Sequence, residues 1–229
     1  MRVIVFDTET TGLPKSKYIN NATLPLWPHI VQFSYVIYNF SDFKIESMVD
    51  SVIKIPDCVE ISQECTNIHG ITKEMCDQQG NDLKDILFNF IEDFYSCDLI
   101  VGHNINFDLN MIKVELMRLN ITLEYFEKLY VEDFLEYIHK LPKEKVYCTM
   151  QSSIELCAIK KKDKFGKEYN KFPKLLELYQ KIFDSIPKNL HNSFNDVLIC
   201  LRCFGKLKFE MDLCEKNKEI KDLFLKLDL

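Results

Sequence analysis

Two carboxylates stand two residues apart near the start of the chain. Asp7 and Glu9 follow residues 3–6, an unbroken apolar run typical of a strand that is buried on both faces. Because side chains at i and i+2 of a strand point to the same side, both carboxylates face one point in space. Neighbouring anions at the edge of a core repel each other, and a divalent cation removes that cost. The segment therefore predicts a metal site. The alternative is a solvated strand end with two unrelated acids.

A second acidic segment covers residues 101–108, where a short strand is followed by a helix. Asp108 falls in the first turn of that helix, where the helix dipole stabilises a carboxylate. Gly102 permits a tight exit from the strand, and the strand is expected beside the first one. These features favour a functional role for Asp108. The alternative is an ordinary acid in a first helical turn.

A third segment, residues 191–196, places a histidine five positions before an aspartate. Five residues of helix rotate by about 140°, so His191 and Asp196 can act together only if His191 precedes the helix. Ser193 is the predicted N-cap, which would make Asp196 the acidic partner of a capping box. That capping role, and an ordinary surface position for His191, are the alternatives to chemistry.

The elements that must position these segments can be read from the apolar periodicity. Strands are expected at 2–7, 30–38, 44–54, 98–101 and 146–148, and helices at 61–67, 72–78, 82–96, 105–119, 123–140, 149–158, 174–184, 193–207 and, in a polar tail, 210–227. A hairpin beside a buried first strand, followed by alternating strands and helices, indicates one compact α/β domain with a mixed sheet. In such sheets, sites collect at the carboxyl ends of the central strands, where Asp7 and Glu9 lie.

Composition narrows the class of protein. The 229 residues carry a net charge of −6, which disfavours a general nucleic-acid coat protein but allows an enzyme with a local basic grip. No apolar run approaches the roughly 18 residues of a membrane span, and no signal peptide is recognisable, so a soluble intracellular protein is expected. The nine cysteines are interpreted as reduced thiols. Cys200 and Cys203 have a metal-like spacing, but no second pair completes a zinc site.

Taken in order, the three acidic segments resemble the DEDDh 3′→5′ exonucleases, the DnaQ-like family of the bacterial polymerase proofreading subunit. The matching stretches are DTETTGL at 7–13, HNINFD at 103–108 and His-x4-Asp at 191–196, with secondary matches at 28–32, 68–72, 147–150 and 172–179. The resemblance implies a ribonuclease-H-like α/β fold with a five-stranded mixed sheet flanked by helices. It covers an exonuclease domain at 1–207, and residues 208–229 are expected to form a helical tail of the same compact unit.

The resemblance also implies a reaction and its cofactors. Terminal phosphodiesters of nucleic acid would be hydrolysed from the 3′ end to nucleoside 5′-monophosphates. Two divalent cations, Mg²⁺ or Mn²⁺, would be held by Asp7, Glu9, Asp108 and Asp196. Asp7 would bridge both ions, Glu9 and Asp196 would complete the catalytic one, and Asp108 would serve the second. His191 would be the general base, because imidazoles titrate near neutral pH.

The same resemblance places Thr10, Leu13, His69 and Phe107 around the terminal nucleotide. The alternative for Leu13 and Phe107 is ordinary packing in the core. For His69 it is a hydrogen bond to a loop carbonyl. Thr10 stands where oligoribonuclease-type relatives typically carry Met, which favours DNA slightly over RNA. An exoribonuclease, a nuclease that cuts internally, and a non-catalytic nucleic-acid-binding module remain alternatives. The expected partner is a single-stranded or frayed 3′ end, with a polymerase as a further candidate partner and no membrane.

A basic loop is predicted at residues 160–174. It holds seven lysines against two acids, with three aromatic residues interleaved. Lysines for phosphates and rings for unstacked bases are typical of single-strand binding. The alternative is a solvated loop whose rings pack on the body of the protein.

Overall fold

A five-stranded mixed sheet forms the centre of the protein, as predicted. The computed structural model describes residues 1–189 and 191–229. The strands are β1 (Arg2–Thr10), β2 (Ile30–Asn39), β3 (Lys44–Val52), β4 (Leu99–Gly102) and β5 (Val146–Cys148). Their order is β3-β2-β1-β4-β5, with β1, β2 and β3 antiparallel and β1, β4 and β5 parallel.

Helices cover both faces of this sheet, and a small hairpin stands outside it. The helices are α1 (Gln63–His69), α2 (Lys73–Gln79), α3 (Leu83–Tyr95), α4 (Ile105–Leu119), α5 (Tyr125–His139), α6 (Thr149–Ser152), α7 (Ile154–Cys157), α8 (Leu175–Phe183), α9 (Ser193–Phe209), α10 (Leu213–Lys216) and α11 (Lys218–Leu227). The hairpin consists of β6 (Lys160–Lys162) and β7 (Glu168–Asn170).

The alternation of β1 divides the core in two. Ile4 and Phe6 pack on one face with α3, α4 and α5, and the ring centroid of Phe6 lies 5.0 Å from that of Phe90. Val3 and Val5 pack on the other face with α8, α9 and the C-terminal helices. Because Asp7 and Glu9 continue the odd-numbered series, their side chains emerge on the α9 side of the sheet.

Several boundaries differ from those predicted. Strand β1 runs to Thr10 instead of ending at residue 7, because its polar end still pairs with β2 through Glu9 and Gln32. Strand β3 ends at residue 52 rather than 54. The helix predicted over 149–158 is two short helices, broken at Ser153, whose hydroxyl donates to the Thr149 carbonyl at 2.6 Å. The basic segment predicted as a loop contains the β6–β7 hairpin.

The C-terminal segment packs against the α9 side of the sheet. Leu213, Ile220 and Phe224 are buried there with Val3 and Val5 of β1. The single predicted tail helix is interrupted at Asn217, whose side chain caps α11 by accepting the Ile220 N–H at 2.9 Å.

All nine cysteines are free, as interpreted from the sequence. Cys200 and Cys203 are buried among apolar side chains of α9, and neither belongs to a group of potential metal ligands within the described part of the chain. Between residues 1 and 189 and from 191 onward, no helix combines the length and apolar character needed to cross a membrane.

Candidate active site

Three carboxylates from two distant parts of the chain meet at the end of β1. Oxygens of Asp7 and Glu9 on β1 and of Asp196 on α9 lie within 4.8 Å of one another. The pairing of β1 with β2 shifts register between Glu9 and Thr10, an irregularity of the kind that redirects side chains at the end of a strand. The expected approach of Asp196 to the first acidic pair is therefore present in the structure.

The Asp196 carboxylate does not take part in capping α9. The cap is Asn192, whose side chain accepts the Asn195 N–H at 3.3 Å, so the prediction of Ser193 as N-cap is wrong. Asn and Ser cap equally well, so sequence preference did not fix the helix start. Asp196 is consequently not a capping-box partner, and its Oδ1 is buried with no hydrogen-bond partner among the described residues.

A polar network holds the first turn of α9 on the sheet. The hydroxyls of Ser193 and Ser34 lie 2.5 Å apart, and the Ser193 N–H donates to Gln32 Oε1 at 3.2 Å. Asp50 on β3 accepts from Gln32 at 2.7 Å and from Ser34 at 2.8 Å. Sequence reasoning missed Ser34 and Asp50. Two polar residues at i and i+2 of the otherwise apolar strand β2 were the available signal.

Asp108 reaches the same strand from the opposite face of the sheet. Its buried Oδ1 accepts hydrogen bonds from the N–H of Thr8 at 3.0 Å and from the Thr8 hydroxyl at 2.8 Å. Thr8 stands between Asp7 and Glu9, so Asp108 faces inward at the acidic end of β1. It is not one of the three residues whose oxygens meet within 4.8 Å.

The electrostatics of the site favour a bound cation. Burial raises the pKa of Asp7 to about 7, and burial together with the charge of Asp7 raises the pKa of Glu9 to about 8. The pKa values of Asp108 and Asp196 are also raised, by burial first and then by the charge of Asp7. Crowded carboxylates with an unpartnered Asp196 oxygen fit hard divalent cations, which take oxygen ligands.

His191 lies next to this cluster. It precedes α9 with a left-handed φ of 64°, and its side chain is exposed. Its backbone hydrogen bond to Asp196 partly offsets the rise in the pKa of that carboxyl. The structure thus places His191 in the loop before the helix and Asp196 in the first turn, as the sequence analysis required.

The four residues expected around the terminal nucleotide differ in their surroundings. The Thr10 hydroxyl donates to the Gly12 carbonyl at 2.7 Å, and Leu13 is 80 % exposed rather than part of the core. His69 is buried, its Nδ1 accepts the Ile71 N–H at 3.1 Å, and its Nε2 has no partner among the described residues. Burial lowers the pKa of His69, and the backbone of Thr10 opposes that shift. Phe107 packs half-buried against the core.

The loop after Glu9 is fastened by Arg118, which sequence reasoning also missed. Its guanidinium donates to the carbonyls of Leu24 at 2.9 Å, Trp27 at 2.7 Å and Pro28 at 2.9 Å. Glu115 accepts from the same guanidinium at 2.8 Å. Arg118 therefore fixes the far end of this loop, at residues 24–28.

His103, the first residue of the second motif, is a structural link. Its Nε2 lies 3.0 Å from the Pro173 carbonyl and its Nδ1 lies 3.0 Å from the Thr149 hydroxyl. A carbonyl only accepts, so the neutral ring donates from Nε2, and its Nδ1 faces the Thr149 hydroxyl, whose proton it shares with the Gly102 carbonyl at 3.2 Å. Burial lowers the pKa of His103 to about 4. The ring joins the loop before α4 to α6 and to the segment before α8.

This link predicts a pH-dependent stability. The pKa of His103 in the folded state lies below the ordinary value of about 6.5, so the unfolded chain takes up a proton first as the pH falls. The stability that the neutral His103 ring contributes is fully present above about pH 6.5 and is lost as the pH falls toward 4. We expect His103→Ala to lower the free energy of unfolding by about 1–3 kcal/mol at pH 8 and by less at pH 4.5. Urea unfolding at both pH values measures this, with the exposed His139→Ala as control. An equal loss at both pH values would contradict the neutral link.

The chain matches a known protein family and several solved structures. Residues 4–204 match the RNase_T family, described as exonuclease. No curated protein sequence matches the chain. Among solved structures, Escherichia coli exonuclease I in complex with a dT13 oligonucleotide is 14% identical with a TM-score of 0.60, over 97% of this chain and 45% of that one. Exonuclease I from Methylocaldum szegediense is 16% identical with a TM-score of 0.57, over 98% of this chain and 45% of that one.

A third solved structure comes from a 3′-exonuclease that recognises the 3′ end of a histone mRNA stem-loop. It is 13% identical with a TM-score of 0.58, over 90% of this chain and 63% of that one. This chain thus spans about half to two thirds of these proteins, and at such identities the likeness supports the ribonuclease-H-like fold. The family match extends over most of the sequence, and Asp7, Glu9, Asp108, His191 and Asp196 all lie within the matched range. The chain belongs to the RNase_T exonuclease family.

Proposed function

We propose that this chain is a metal-dependent 3′→5′ exonuclease that removes nucleoside 5′-monophosphates from single-stranded or frayed nucleic acid. The observation that carries the proposal is the meeting of Asp7, Glu9 and Asp196 oxygens within 4.8 Å. Asp108, held by Thr8 at the same end of β1, supplies the fourth carboxylate. Burial raises the pKa of all four carboxyls, which disfavours their charged forms when no cation is bound.

Asp7, Glu9, Asp108 and Asp196 would hold two divalent cations, Mg²⁺ or Mn²⁺. When bound, such cations supply activation of a water molecule and stabilisation of the negative charge on the leaving 3′-oxygen. The exposed imidazole of His191 accepts the proton of the attacking water. Its position in a loop beside Asp196 supports this role, since an imidazole adds no further carboxylate to the cluster.

The terminal nucleotide would lie against Thr10, Leu13, His69 and Phe107. Because Nδ1 of His69 accepts a backbone N–H, the neutral ring carries its proton on Nε2, which is buried without a partner among the described residues. The Thr10 backbone is a weak partner of this ring, and the same N–H can donate to an oxygen of the terminal sugar or phosphate. The exposed side chain of Leu13 can pack on the last base.

DNA remains the slightly favoured substrate, and an exoribonuclease is the second candidate. The preference for DNA rests on Thr10 at the position where oligoribonuclease-type relatives carry Met. The RNA alternative is supported by the structurally similar 3′-exonuclease that recognises a histone mRNA stem-loop. A polymerase partner and an intracellular location stay predictions.

The test is a time course on 5′-labelled DNA and RNA 20-mers with Mg²⁺, with Mn²⁺ and with EDTA, beside a circular single strand. We expect a ladder that shortens from the 3′ end only when a cation is present, and an intact circle. Cleavage of the circle, or shortening from the 5′ end, would contradict the proposal. The ratio of DNA to RNA rates decides the sugar preference.

A further inference from the structure

The β6–β7 hairpin carries a surface unlike the rest of the protein. Residues 160–174 hold seven lysines and two acids, a net charge of +5 in a chain of net charge −6. Three rings on this segment are open to solvent: Phe165 is 82% exposed, Phe172 57% and Tyr169 46%. The alternative of rings packed on the body is therefore wrong. A patch that combines exposed rings with excess charge is typical of a binding surface.

The tip of the hairpin is a structured turn that presents Phe165. Asp163 Oδ1 accepts the backbone N–H groups of Phe165 at 2.8 Å and of Lys167 at 3.0 Å. Gly166 takes a left-handed φ of 82°, which closes the turn. The Asp163 carboxylate is thus directed to backbone amides, while Lys164 Nζ lies 5.0 Å from the Phe165 ring centroid. The fixed backbone of the turn thus presents the Phe165 ring and the Lys164 ammonium together at the tip.

The register of the hairpin separates an inner from an outer face. Lys161 is paired with Tyr169, and Lys160 with Asn170. The Asn170 amide donates to Glu155 of α7 at 3.1 and 3.2 Å, so that face lies toward the body. Since strand neighbours alternate, Lys161 and Tyr169 share the face that points away from α7.

The base of the hairpin is joined to the loop that leads to the candidate active site. Lys171 forms an ion pair with Glu177 at 2.5 Å. Two residues later, the Pro173 carbonyl accepts from His103, which stands just before α4 and Asp108. The hairpin therefore has a fixed attachment beside the acidic end of the sheet.

We propose that this hairpin binds the single strand whose 3′ end lies in the active site, with lysines on phosphates and rings on unstacked bases. The inference rests on the proposed function and names the part of the substrate that the hairpin contacts. Lys162 lies 3.9 Å from Glu168. Lysines without an acidic partner among the described residues are the strongest candidates for phosphates: Lys161, Lys164 and Lys167, and also Lys160, which is exposed although its strand position faces α7.

The first test replaces these four lysines with Gln and measures binding of a 5′-labelled 20-mer by fluorescence anisotropy in EDTA. We expect affinity to fall at least tenfold at low salt, and the salt dependence of log Kd to weaken by about 0.7 per lost phosphate contact. Hydrolysis of a trinucleotide, which has few phosphates beyond the scissile one, should change far less. The matched control removes four exposed lysines from the C-terminal helices and should bind normally: Lys216→Gln, Lys218→Gln, Lys221→Gln and Lys226→Gln.

The second test separates stacking from charge. Phe165→Ala should weaken 20-mer binding about tenfold with an unchanged salt dependence, and Phe165→Tyr should restore it. Normal 20-mer binding by both the lysine variant and Phe165→Ala would overturn the hairpin proposal while leaving the exonuclease intact. Hairpin-dependent binding without any hydrolysis would instead overturn the proposed function alone. A third outcome would overturn strand recognition by the hairpin. In it, only the lysine variant loses affinity, and polyglutamate displaces the labelled 20-mer as well as unlabelled DNA does.

Discussion

Asp7→Asn is expected to lower kcat for single-strand hydrolysis by about 10³-fold or more. Asp7 is the carboxylate that the other three share: it lies with Glu9 and Asp196, and its charge raises the pKa of Asp108. Losing its negative charge removes a ligand of the cations, which contribute several kcal/mol to the transition state. End-labelled oligomers in single-turnover assays measure the loss.

The same substitution should not weaken the fold. Asn has nearly the volume of Asp, and it removes a buried charge that repels its neighbours, so metal-free Asp7→Asn should unfold at the same temperature as the wild type or higher. The exposed Asp57→Asn is the matched control and should change neither quantity. If Asp7→Asn keeps a tenth of wild-type activity, Asp7 is not a ligand. If Asp7→Asn is strongly destabilised, the activity of Glu9→Gln decides whether the acidic cluster is needed for hydrolysis.

His191→Ala is expected to lower kcat by about 10²- to 10⁴-fold, the usual contribution of a general base. Because the side chain is exposed and the backbone at 191 meets Asp196, the loss should leave stability and cation affinity unchanged. The pH profile of kcat should lose the limb that reports protonation of the base. His191→Gln, which keeps size and polarity, should be as inactive as His191→Ala.

A positional role for His191 would give different results. In that case the Gln variant would recover much of the activity, and the pH profile of the Ala variant would keep its wild-type shape. The exposed His139→Ala provides the control for loss of a surface imidazole.

The acidic pair on β1 could be placed from the sequence because strand alternation is a local rule. Asp7 and Glu9 share a face whatever the rest of the chain does. The approach of Asp108 and Asp196 depends on how α4 and α9 cross the sheet, which periodicity does not encode; only the order of motifs indicated it. The hydrogen bonds from Thr8 to Asp108 had no signal in the sequence.

Errors arose where two neighbouring residues were equally suited to one task. Asn192 rather than Ser193 caps α9, because Ser193 is held by Ser34 and Gln32 on the sheet.

At residues 160–170, successive lysines carry no strand periodicity. The hairpin there forms around the turn that Asp163 and Gly166 close.

The central claim is that the four carboxylates form a cation site, and thermal unfolding at two pH values tests it most directly. The folded protein holds protons on Asp7 and Glu9 up to about pH 7 and 8, whereas the unfolded chain releases them near pH 4. Without metal, stability should therefore fall as the pH rises from 4 to 8.

Cations compete with these protons, so Mn²⁺ should stabilise the protein far more at pH 8.5 than at pH 5.5. A Mn²⁺ concentration a hundred times Kd adds about 2.7 kcal/mol to the free energy of unfolding. For a chain of this size, that raises Tm by roughly 5–10 °C. We predict that shift for the wild type at pH 8.5 and its loss in Asp7→Asn. An unchanged Tm with Mn²⁺ at pH 8.5, or an equal shift in both proteins, would contradict the account.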